Sequence, residues 1–354
     1  MKETSTNFDK FKEDDSNDFE VIINDRQVFC PGEKITGAVK LGTSKAMNPR
    51  SIVVKLCGQA FVRWTESNQF DSIEYINCET YLNDNRTILE CDKNGKLEGL
   101  TPGDNAELPF CFVLPPSHLP SSFNHGWRNK DFAVLRYWVH AYIILNSGET
   151  LTAARDFYLK ETMELSKGQH LLEPQKMSAS KDVRWWCFKT GPVVLQMEIS
   201  RVGYYPGEDV VIRANVDATS SYVSTGKVEV QLLQRVTYIA NSDYVEKLWP
   251  KSDKDNSLER EHWSLEQTIL LSESIGSRRQ MNWDNVRLQI PKAIVPSISC
   301  SACIQLSYFV QCKVNLRSVS DHCTIRMPIV VVWKPRVKTD CTQNVTGDDL
   351  KVTE

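Results

Sequence analysis

Apolar and polar residues alternate along much of the chain, which is the pattern of β-strands with one buried face. In the segment SIVVKLCGQAFVRW, Ile52 and Val54 fall on one face and Lys55 falls on the other. The segment RYWVHAYI alternates in the same way, and Pro115 and Pro116 end another apolar run, because proline cannot donate a hydrogen bond to a sheet. Helical periodicity is scarce. The pattern therefore predicts an all-β protein built from antiparallel β-sandwiches.

Four sequence features occur twice in the same order. FCPGEKITGAVKL and YYPGEDVVIRANV carry PGE triplets 175 residues apart, and at the same spacing SIVVKLCGQAFVRW matches GKVEVQLLQRVTYI, with Gln59 matching Gln234. FVLPPSHLPSS matches LQIPKAIVPSI at a spacing of 176, and RYWVHAYI matches SYFVQCKV at 171. A chain of 354 residues also exceeds the roughly 250–300 residues that one core supports. The repeat predicts two copies of one domain.

The boundaries follow from the repeats and from the polar stretches around them. LSKGQHLLEPQKMSASKD has no periodicity and many polar residues, so it is predicted to be the linker. The predicted segments are a disordered acidic tail (1–18), an N-terminal β-sandwich (19–162), a linker (163–182), a C-terminal β-sandwich (183–335) and a disordered tail (336–354).

Charge and cysteine content narrow the class of protein. The net charge of −3 lacks the basic excess of a dedicated nucleic-acid binder. Residues 1–20 hold three Lys and seven Asp or Glu, so this end is acidic and is expected to be solvated. No signal peptide or membrane-spanning run is apparent in the sequence. The eleven cysteines are therefore expected to be reduced thiols of a cytoplasmic protein, many of them buried as small apolar residues.

The repeated segments resemble the arrestin family, in particular its arrestin-domain-containing (α-arrestin) branch. The resemblance rests on FCPGEKITGAVKL, IVVKLCGQAFVRWTE, LPFCFVLPPSHLPSSF and LRYWVHAYI in the first copy. In the second copy it rests on WWCFKTGPVVLQMEISRVGYYPGEDVVI, GKVEVQLLQRVTY, the segment from Trp283 to Pro291, and CSACIQLSYFVQCKVNL. It covers roughly residues 20–335 and implies two tandem arrestin-like, immunoglobulin-like β-sandwiches joined by a hinge.

The resemblance also implies a function. Arrestin-type proteins are adaptors that bind the cytoplasmic tails of membrane proteins and link them to trafficking, endocytic or ubiquitination machinery. The protein would then be cytoplasmic, with peripheral association to plasma or endosomal membranes. Many α-arrestins recruit ubiquitin ligases through PPxY motifs, but the sequence contains no PPxY, so another route is expected. The alternative is a constitutive subunit of a membrane-sorting coat, like the arrestin-fold subunit of retromer.

Four basic residues are candidate contacts for cargo or anionic lipid. Lys55 and Arg63 lie at even spacing on one predicted strand, so they share a face and could line a surface that binds cargo. Arg128 and Lys130 lie in a predicted loop and could contact acidic or phosphorylated cargo or lipid head groups. The ordinary interpretation of all four is solvated surface charge.

No catalytic, metal or cofactor site is predicted. The six histidines are scattered, and no nucleophile-elbow, HExxH or phosphate-loop motif occurs. The one CxxC, from Cys300 to Cys303, has no second pair to complete a zinc site, and it leads into a strand where a redox motif would lead into a helix. The chain is therefore predicted not to be an enzyme. An enzyme without a recognisable motif would require a deep pocket lined by titratable groups.

Overall fold

The alternating segments form antiparallel strands in a computed structural model that describes residues 19–24, 26–42, 49–67, 72–91, 106–126, 131–185, 188–221, 224–240, 258–316 and 322–335. The first half contains nine strands: β1 (Phe19–Ile23), β2 (Val28–Phe29), β3 (Lys34–Leu41), β4 (Pro49–Ser67), β5 (Ser72–Glu90), β6 (Ala106–Val113), β7 (Phe123–His125), β8 (Phe132–Leu145) and β9 (Thr150–Leu159). One sheet has the order β1-β3-β6. The other has the order β2-β9-β8-β4-β5, with β7 beside β8.

The second half repeats this architecture after two short 3-10 helices, Leu165–Lys167 and Gln169–Leu172. Its strands are β10 (Gln175–Trp185), β11 (Phe188–Ile199), β12 (Gly203–Tyr204), β13 (Asp209–Asp217), β14 (Thr225–Ile239), β15 (Glu259–Ser272), β16 (Gln280–Gln289), β17 (Ile304–Leu316) and β18 (His322–Val331). The sheets have the orders β10-β11-β13-β16 and β12-β18-β17-β14-β15. The predicted fold class, two tandem β-sandwiches, is confirmed.

Each sandwich buries the apolar faces of its two sheets against each other. In the N-terminal sandwich, Ile35 on β3 and Ile52 on β4 are fully buried. In the C-terminal sandwich, Ile212 on β13 and Val230 on β14 are fully buried as well. The buried side chains of the two sandwiches join at the domain interface, where the rings of Trp64 and Tyr238 lie 6.2 Å apart.

The repeated PGE turns have the same internal structure in both halves. Their glycines have φ values of 82° and 89°, which glycine adopts without steric cost. The Glu33 carboxylate accepts a hydrogen bond from the backbone amide of Cys30 at 2.7 Å, and Glu208 accepts one from Tyr205 at 2.8 Å. The glycine of the triplet thus has a conformational role in both turns, and the glutamate has a hydrogen-bonding role.

A buried tyrosine also has the same role in both sandwiches. The Tyr137 hydroxyl donates to the carbonyl of Pro120 at 2.7 Å, and the Tyr308 hydroxyl donates to the carbonyl of Val295 at 2.6 Å. The first bond attaches the segment before β7 to the core of the N-terminal sandwich. The second attaches the segment before β17 to the core of the C-terminal sandwich. In each domain, this hydrogen bond joins the repeated proline-rich segment to the repeated strand that carries the tyrosine.

The predicted match of Gln59 with Gln234 is wrong by one residue. Gly58 lies opposite Tyr137 across the ladder, and Gln234 lies opposite Tyr308, so Gly58 is the structural counterpart of Gln234. A shift of one residue exchanges the two faces of a strand. Gln59 consequently lies on the outer face, whereas Gln234 donates to the Tyr308 hydroxyl at 2.8 Å.

The linker predicted at 163–182 is shorter in the structure. Residues 175–182 belong to β10, which pairs with β11 at the edge of the four-stranded sheet. Most described side chains of β10 are exposed, including Met177 at 46%. Apolar alternation appears only where one face is buried, so an edge strand with exposed side chains gives no periodic signal.

The remaining part of the linker packs on the C-terminal sandwich. Leu165 and Leu171, one from each 3-10 helix, are buried together with Val202 and Val332. The amide of Val202 donates to the carbonyl of Leu171 at 3.0 Å. These contacts attach the connection between the domains to the second domain.

Candidate functional site

Lys55 and Arg63 lie on the outer face of β4, away from the core, so they share a face as the sequence predicts. Eight residues of strand separate them by roughly 26 Å, too far for one small ligand to contact both. Arg63 forms an ion pair with Glu74 on β5. Lys55 has no carboxylate partner among the described residues and lies opposite His140 on β8.

Aromatic side chains surround Lys55 on this face. Trp138 and His140 are buried even though they point away from the core, and the His140 and Tyr142 rings lie 4.1 Å apart. Burial, followed by the charges of Lys55 and Arg136, lowers the pKa of His140 to about 4. At neutral pH this surface therefore presents one lysine charge beside a neutral imidazole.

Arg128 and Lys130 lie outside the described residues. The described residues nearest to them in the sequence are Gly126, directly after β7, and Asp131, directly before β8. Asp131 lies at the interface between the domains, as described below. The assignment of Arg128 and Lys130 to cargo or lipid remains a prediction.

Polar groups of β5 connect the N-terminal sandwich to the C-terminal one. The Glu79 carboxylate accepts hydrogen bonds from the amide of Ala302 at 2.7 Å and from the hydroxyl of Ser301 at 3.2 Å. The Asn77 amide donates to the carbonyls of Ile239 at 3.0 Å and Ala302 at 3.4 Å. Because both side chains bond to backbone groups, this part of the interface depends on the position of the 301–302 segment.

The CxxC segment has a structural role in this interface. The Ser301 hydroxyl accepts hydrogen bonds from the amides of Cys303 and Ile304, both at 3.2 Å. Burial and nearby carboxylates raise the pKa of both the Cys300 and the Cys303 thiols, which disfavours the reactive thiolate. No group of three or more His, Cys, Asp or Glu side chains suited to a metal occurs in the part of the chain that the structure describes.

An ion pair holds the other side of the interface. Arg260 on β15 lies 3.0 Å from Asp131, and the other Asp131 oxygen accepts the amide of Thr65 at 3.0 Å. Arg260 also donates to the carbonyl of Thr65 at 3.5 Å. The end of β4 and the start of β15 are therefore joined through a side-chain bridge that crosses the domain boundary.

Two histidines and a tyrosine lie beside this ion pair. The His125 and His262 rings are 5.3 Å apart, and Nδ1 of His125 lies 2.5 Å from the Tyr238 hydroxyl. Burial lowers the pKa of His125, and burial, His125 and Arg260 lower that of His262 against the opposing effect of Asp131. Burial raises the pKa of Tyr238, so its hydroxyl keeps its proton and can donate to a neutral His125.

Acid is expected to weaken this interface. The folded histidines resist protonation, so below about pH 6.5 the unfolded chain binds more protons than the folded chain, and stability falls as the pH falls. For each histidine the slope is at most about 1.4 kcal/mol per pH unit. Urea unfolding between pH 7.5 and pH 5 should show this loss, and a His125→Phe/His262→Phe variant should show a smaller slope.

An exposed histidine provides the control for the pH experiment. His170 lies in the second 3-10 helix and is exposed, so His170→Gln should retain the slope of the unmodified protein. His140 also contributes to the slope and remains in the double variant. An unchanged slope in the double variant would show that the interface histidines do not control acid stability.

Sequence patterns did not identify the interface residues. Asn77 and Glu79 look like ordinary polar positions of an alternating strand, and His125 looks like a loop residue. Glu79 and Ser301 are 222 residues apart in the chain, and their approach depends on how the two sandwiches pack. Asn77 and Glu79 are two residues apart, so the sequence indicates a polar face on this strand. It does not indicate which residues that face contacts.

Within the described ranges, no helix has the length and apolar character needed to cross a membrane.

Comparisons with known proteins cover both halves of the chain. The model of the arrestin (or S-antigen) N-terminal domain matches residues 19–166, and the model of the arrestin (or S-antigen) C-terminal domain matches residues 189–336. Thioredoxin-interacting proteins of Rattus norvegicus and Homo sapiens are each 28% identical over 228 residues, which is 63% of this chain and 55% of theirs. That of Sus scrofa is 24% identical over 326 residues, 88% of this chain and 73% of its own length. The chain thus spans little more than half of the first two relatives.

Proposed function

Because the chain belongs to the arrestin family, we propose that it is a non-enzymatic adaptor that binds membrane cargo or receptors through its sheet surfaces. The observation that supports this most strongly is the pair of sandwiches, each with a long sheet whose outer face carries charged and aromatic side chains. Extended surfaces of this kind suit the binding of protein segments, as in strand addition or groove binding.

Polar contacts at the interface between the sandwiches, beside the Trp64–Tyr238 ring contact, support a role for domain movement. Glu79, Asn77 and Arg260 join the domains through hydrogen bonds and one ion pair. Such interfaces permit relative motion more readily than large apolar ones. Cargo that contacts both domains would then shift the population of domain arrangements and would require no chemical step.

The finer proposal concerns partners and location. The adaptor would bind cytoplasmic tails of membrane proteins and link them to trafficking, endocytic or ubiquitin-ligase machinery, from a cytoplasmic location with peripheral membrane association. Lys55 and Arg63 are proposed as cargo contacts, and Arg128 and Lys130 as contacts to cargo or anionic lipid. Ligase recruitment would not use PPxY, which the sequence lacks.

Proximity labelling with the full chain in cells tests this function. Membrane proteins with cytoplasmic tails, together with sorting or ubiquitination proteins, should be enriched, and synthetic peptides of the recovered tails should bind the purified chain directly. Thioredoxin, which the relatives' name indicates as their partner, should be included as a separate candidate. Recovery of soluble metabolic proteins alone would contradict the adaptor function. A stable high-mass native complex would favour the coat subunit instead.

A matched pair of variants tests the β4 surface. Lys55→Glu/Arg63→Glu reverses two charges on the outer face of β4 and should reduce binding of the recovered tails. Lys34→Glu/Lys176→Glu reverses two exposed charges elsewhere and should not reduce it. Equal binding by both variants would remove Lys55 and Arg63 from the cargo surface.

A further inference from the structure

An apolar band crosses the outer face of the five-stranded sheet in the C-terminal sandwich. Leu265 lies opposite Leu233, Leu233 lies opposite Phe309, and Phe309 lies opposite Pro328, so four neighbouring strands each contribute one residue. Trp263 lies beside the band, with its ring 5.3 Å from that of Phe309. Leu265 and Trp263 are 57% and 41% exposed, which leaves a large apolar area in contact with water.

Two arginines adjoin the band, and only one of them is neutralised. Arg235 lies 3.1 Å from the Glu261 carboxylate and 5.5 Å from the centre of the Trp263 ring. Arg326 lies 5.0 Å from the same ring centre and donates through Nε to the Gln311 side chain at 2.5 Å. Arg326 is exposed and has no carboxylate partner among the described residues, so the band carries an uncompensated positive charge.

Among its described residues, the corresponding face of the N-terminal sandwich has no such uncompensated arginine. Arg136 lies beside Trp138 and is paired with Asp156, at 2.8 Å for the shortest nitrogen–oxygen distance. Asp156 lies opposite Trp138 in the sheet, whereas Pro328 lies opposite Phe309 at the equivalent position. Arg136 corresponds to Ser307, so the Arg136–Asp156 ion pair has no counterpart in the C-terminal sandwich, and Arg326 is a charge that belongs to this sandwich alone.

The strand at this edge also offers backbone groups to a partner. In the part of the chain that the structure describes, β15 pairs only with β14 and ends the sheet. The free side of an edge strand carries unpaired N–H and C=O groups that can pair with an added strand. Apolar side chains, a guanidinium and an open strand edge therefore lie next to one another.

We propose that the surface formed by Trp263, Leu265, Phe309 and Arg326 binds an extended segment of a partner protein that carries a carboxylate beside large apolar side chains. The carboxylate would pair with Arg326, whose planar guanidinium is stacked on Trp263 and is thereby preoriented. The segment's backbone would pair with β15, and its apolar side chains on the outer face would contact Trp263 and Leu265 at that end of the band. This inference deepens the proposed adaptor function by naming the surface and the chemical class of cargo segment.

Fluorescence anisotropy with designed peptides tests the inference on the full chain. The probe is a fluorescein-labelled peptide of Ser and Gly with a central Leu-Ser-Glu-Ser-Leu segment, which places both leucines and the glutamate on one face of an extended strand, and its counterpart has Lys in place of Glu. The acidic peptide should bind and the basic one should not. Arg326→Glu and Trp263→Ala should each weaken binding of the acidic peptide by about tenfold or more.

Lys313→Glu is the matched control, because it reverses a charge on the same face of β17 at a distance of four residues from Phe309. It should leave the affinity for the acidic peptide unchanged. All the substituted side chains are at the surface, and near-ultraviolet circular dichroism checks that each variant is folded. Equal binding by Arg326→Glu and the unmodified chain overturns the proposal. Binding to phosphatidylserine vesicles without binding to the acidic peptide also overturns it and indicates a lipid-binding surface.

The test also separates this inference from the proposed function. If Arg326→Glu still binds the membrane-protein tails recovered in cells, the adaptor function stands and this surface is not their binding site. If the acidic peptide binds but no membrane-protein tail is recovered, the surface is supported and the adaptor function is contradicted.

Discussion

Replacement of Trp64 by alanine is expected to lower the free energy of unfolding of the N-terminal sandwich by about 3–5 kcal/mol. Trp64 on β4 is fully buried, and its ring stacks on Tyr75 with centroids 4.9 Å apart and planes 6° apart. Alanine would leave a large cavity that rigid strands on both sides cannot fill. The buried Trp64 Nε1 has no hydrogen-bond partner among the described residues, which favours the lower end of the range.

The effect should be visible in thermal unfolding as a fall of roughly 10 °C in the melting temperature of that domain. Because Trp64 also contacts Tyr238 across the domain boundary, the two sandwiches should unfold less cooperatively in the variant. Trp263→Ala is the control, since 41% of the Trp263 side chain is exposed and its loss leaves no cavity. Similar destabilisation by both variants would contradict the burial argument.

Gly191→Ala is expected to destabilise the C-terminal sandwich by about 2–4 kcal/mol. Gly191 has a φ of 101°, and an added Cβ would overlap the carbonyl oxygen of Ser220. A backbone oxygen cannot rotate away as a flexible side chain can, so the strand itself would have to move. Urea unfolding that follows the C-terminal domain would measure the loss.

Gly148 separates the steric effect from the conformational one. Its φ is 87°, but nothing lies within 4 Å of an added Cβ. Gly148→Ala should therefore cost only about 1 kcal/mol, from the strained backbone alone. Equal costs at the two positions would show that the overlap with Ser220 is relieved without a change in stability.

The two proposed binding surfaces lie on the outer faces of different sandwiches. On the N-terminal sheet, Lys55 lies beside buried aromatic residues, and the neighbouring arginine is paired with an acid. On the C-terminal sheet, Arg326 lies beside exposed apolar residues without an acidic partner in the described ranges. The duplicated domain thus has two related surfaces with different chemistry, and the C-terminal one is better suited to a partner segment that supplies a negative charge.

Local patterns were sufficient where burial imposes a period on the sequence. The alternation around Ile52 and Lys55 predicts a strand with one buried face, and this strand is β4. The same reasoning failed for residues 175–182, because β10 is an edge strand whose exposed side chains need no alternation. The match of Gln59 with Gln234 failed by one residue, since similarity of letters does not determine which face a residue occupies.

The sequence by itself determined the β class, the duplication and the family, because alternation and repeated turn motifs are local properties of a chain that must bury one face of each strand. Only the tertiary structure decided which polar groups meet. Glu79 and Ser301 are 222 residues apart, and Arg326 and Trp263 belong to strands separated by two others. Such contacts depend on the order of strands in the sheets and on the packing of one sandwich against the other. Neither can be inferred from a local sequence pattern.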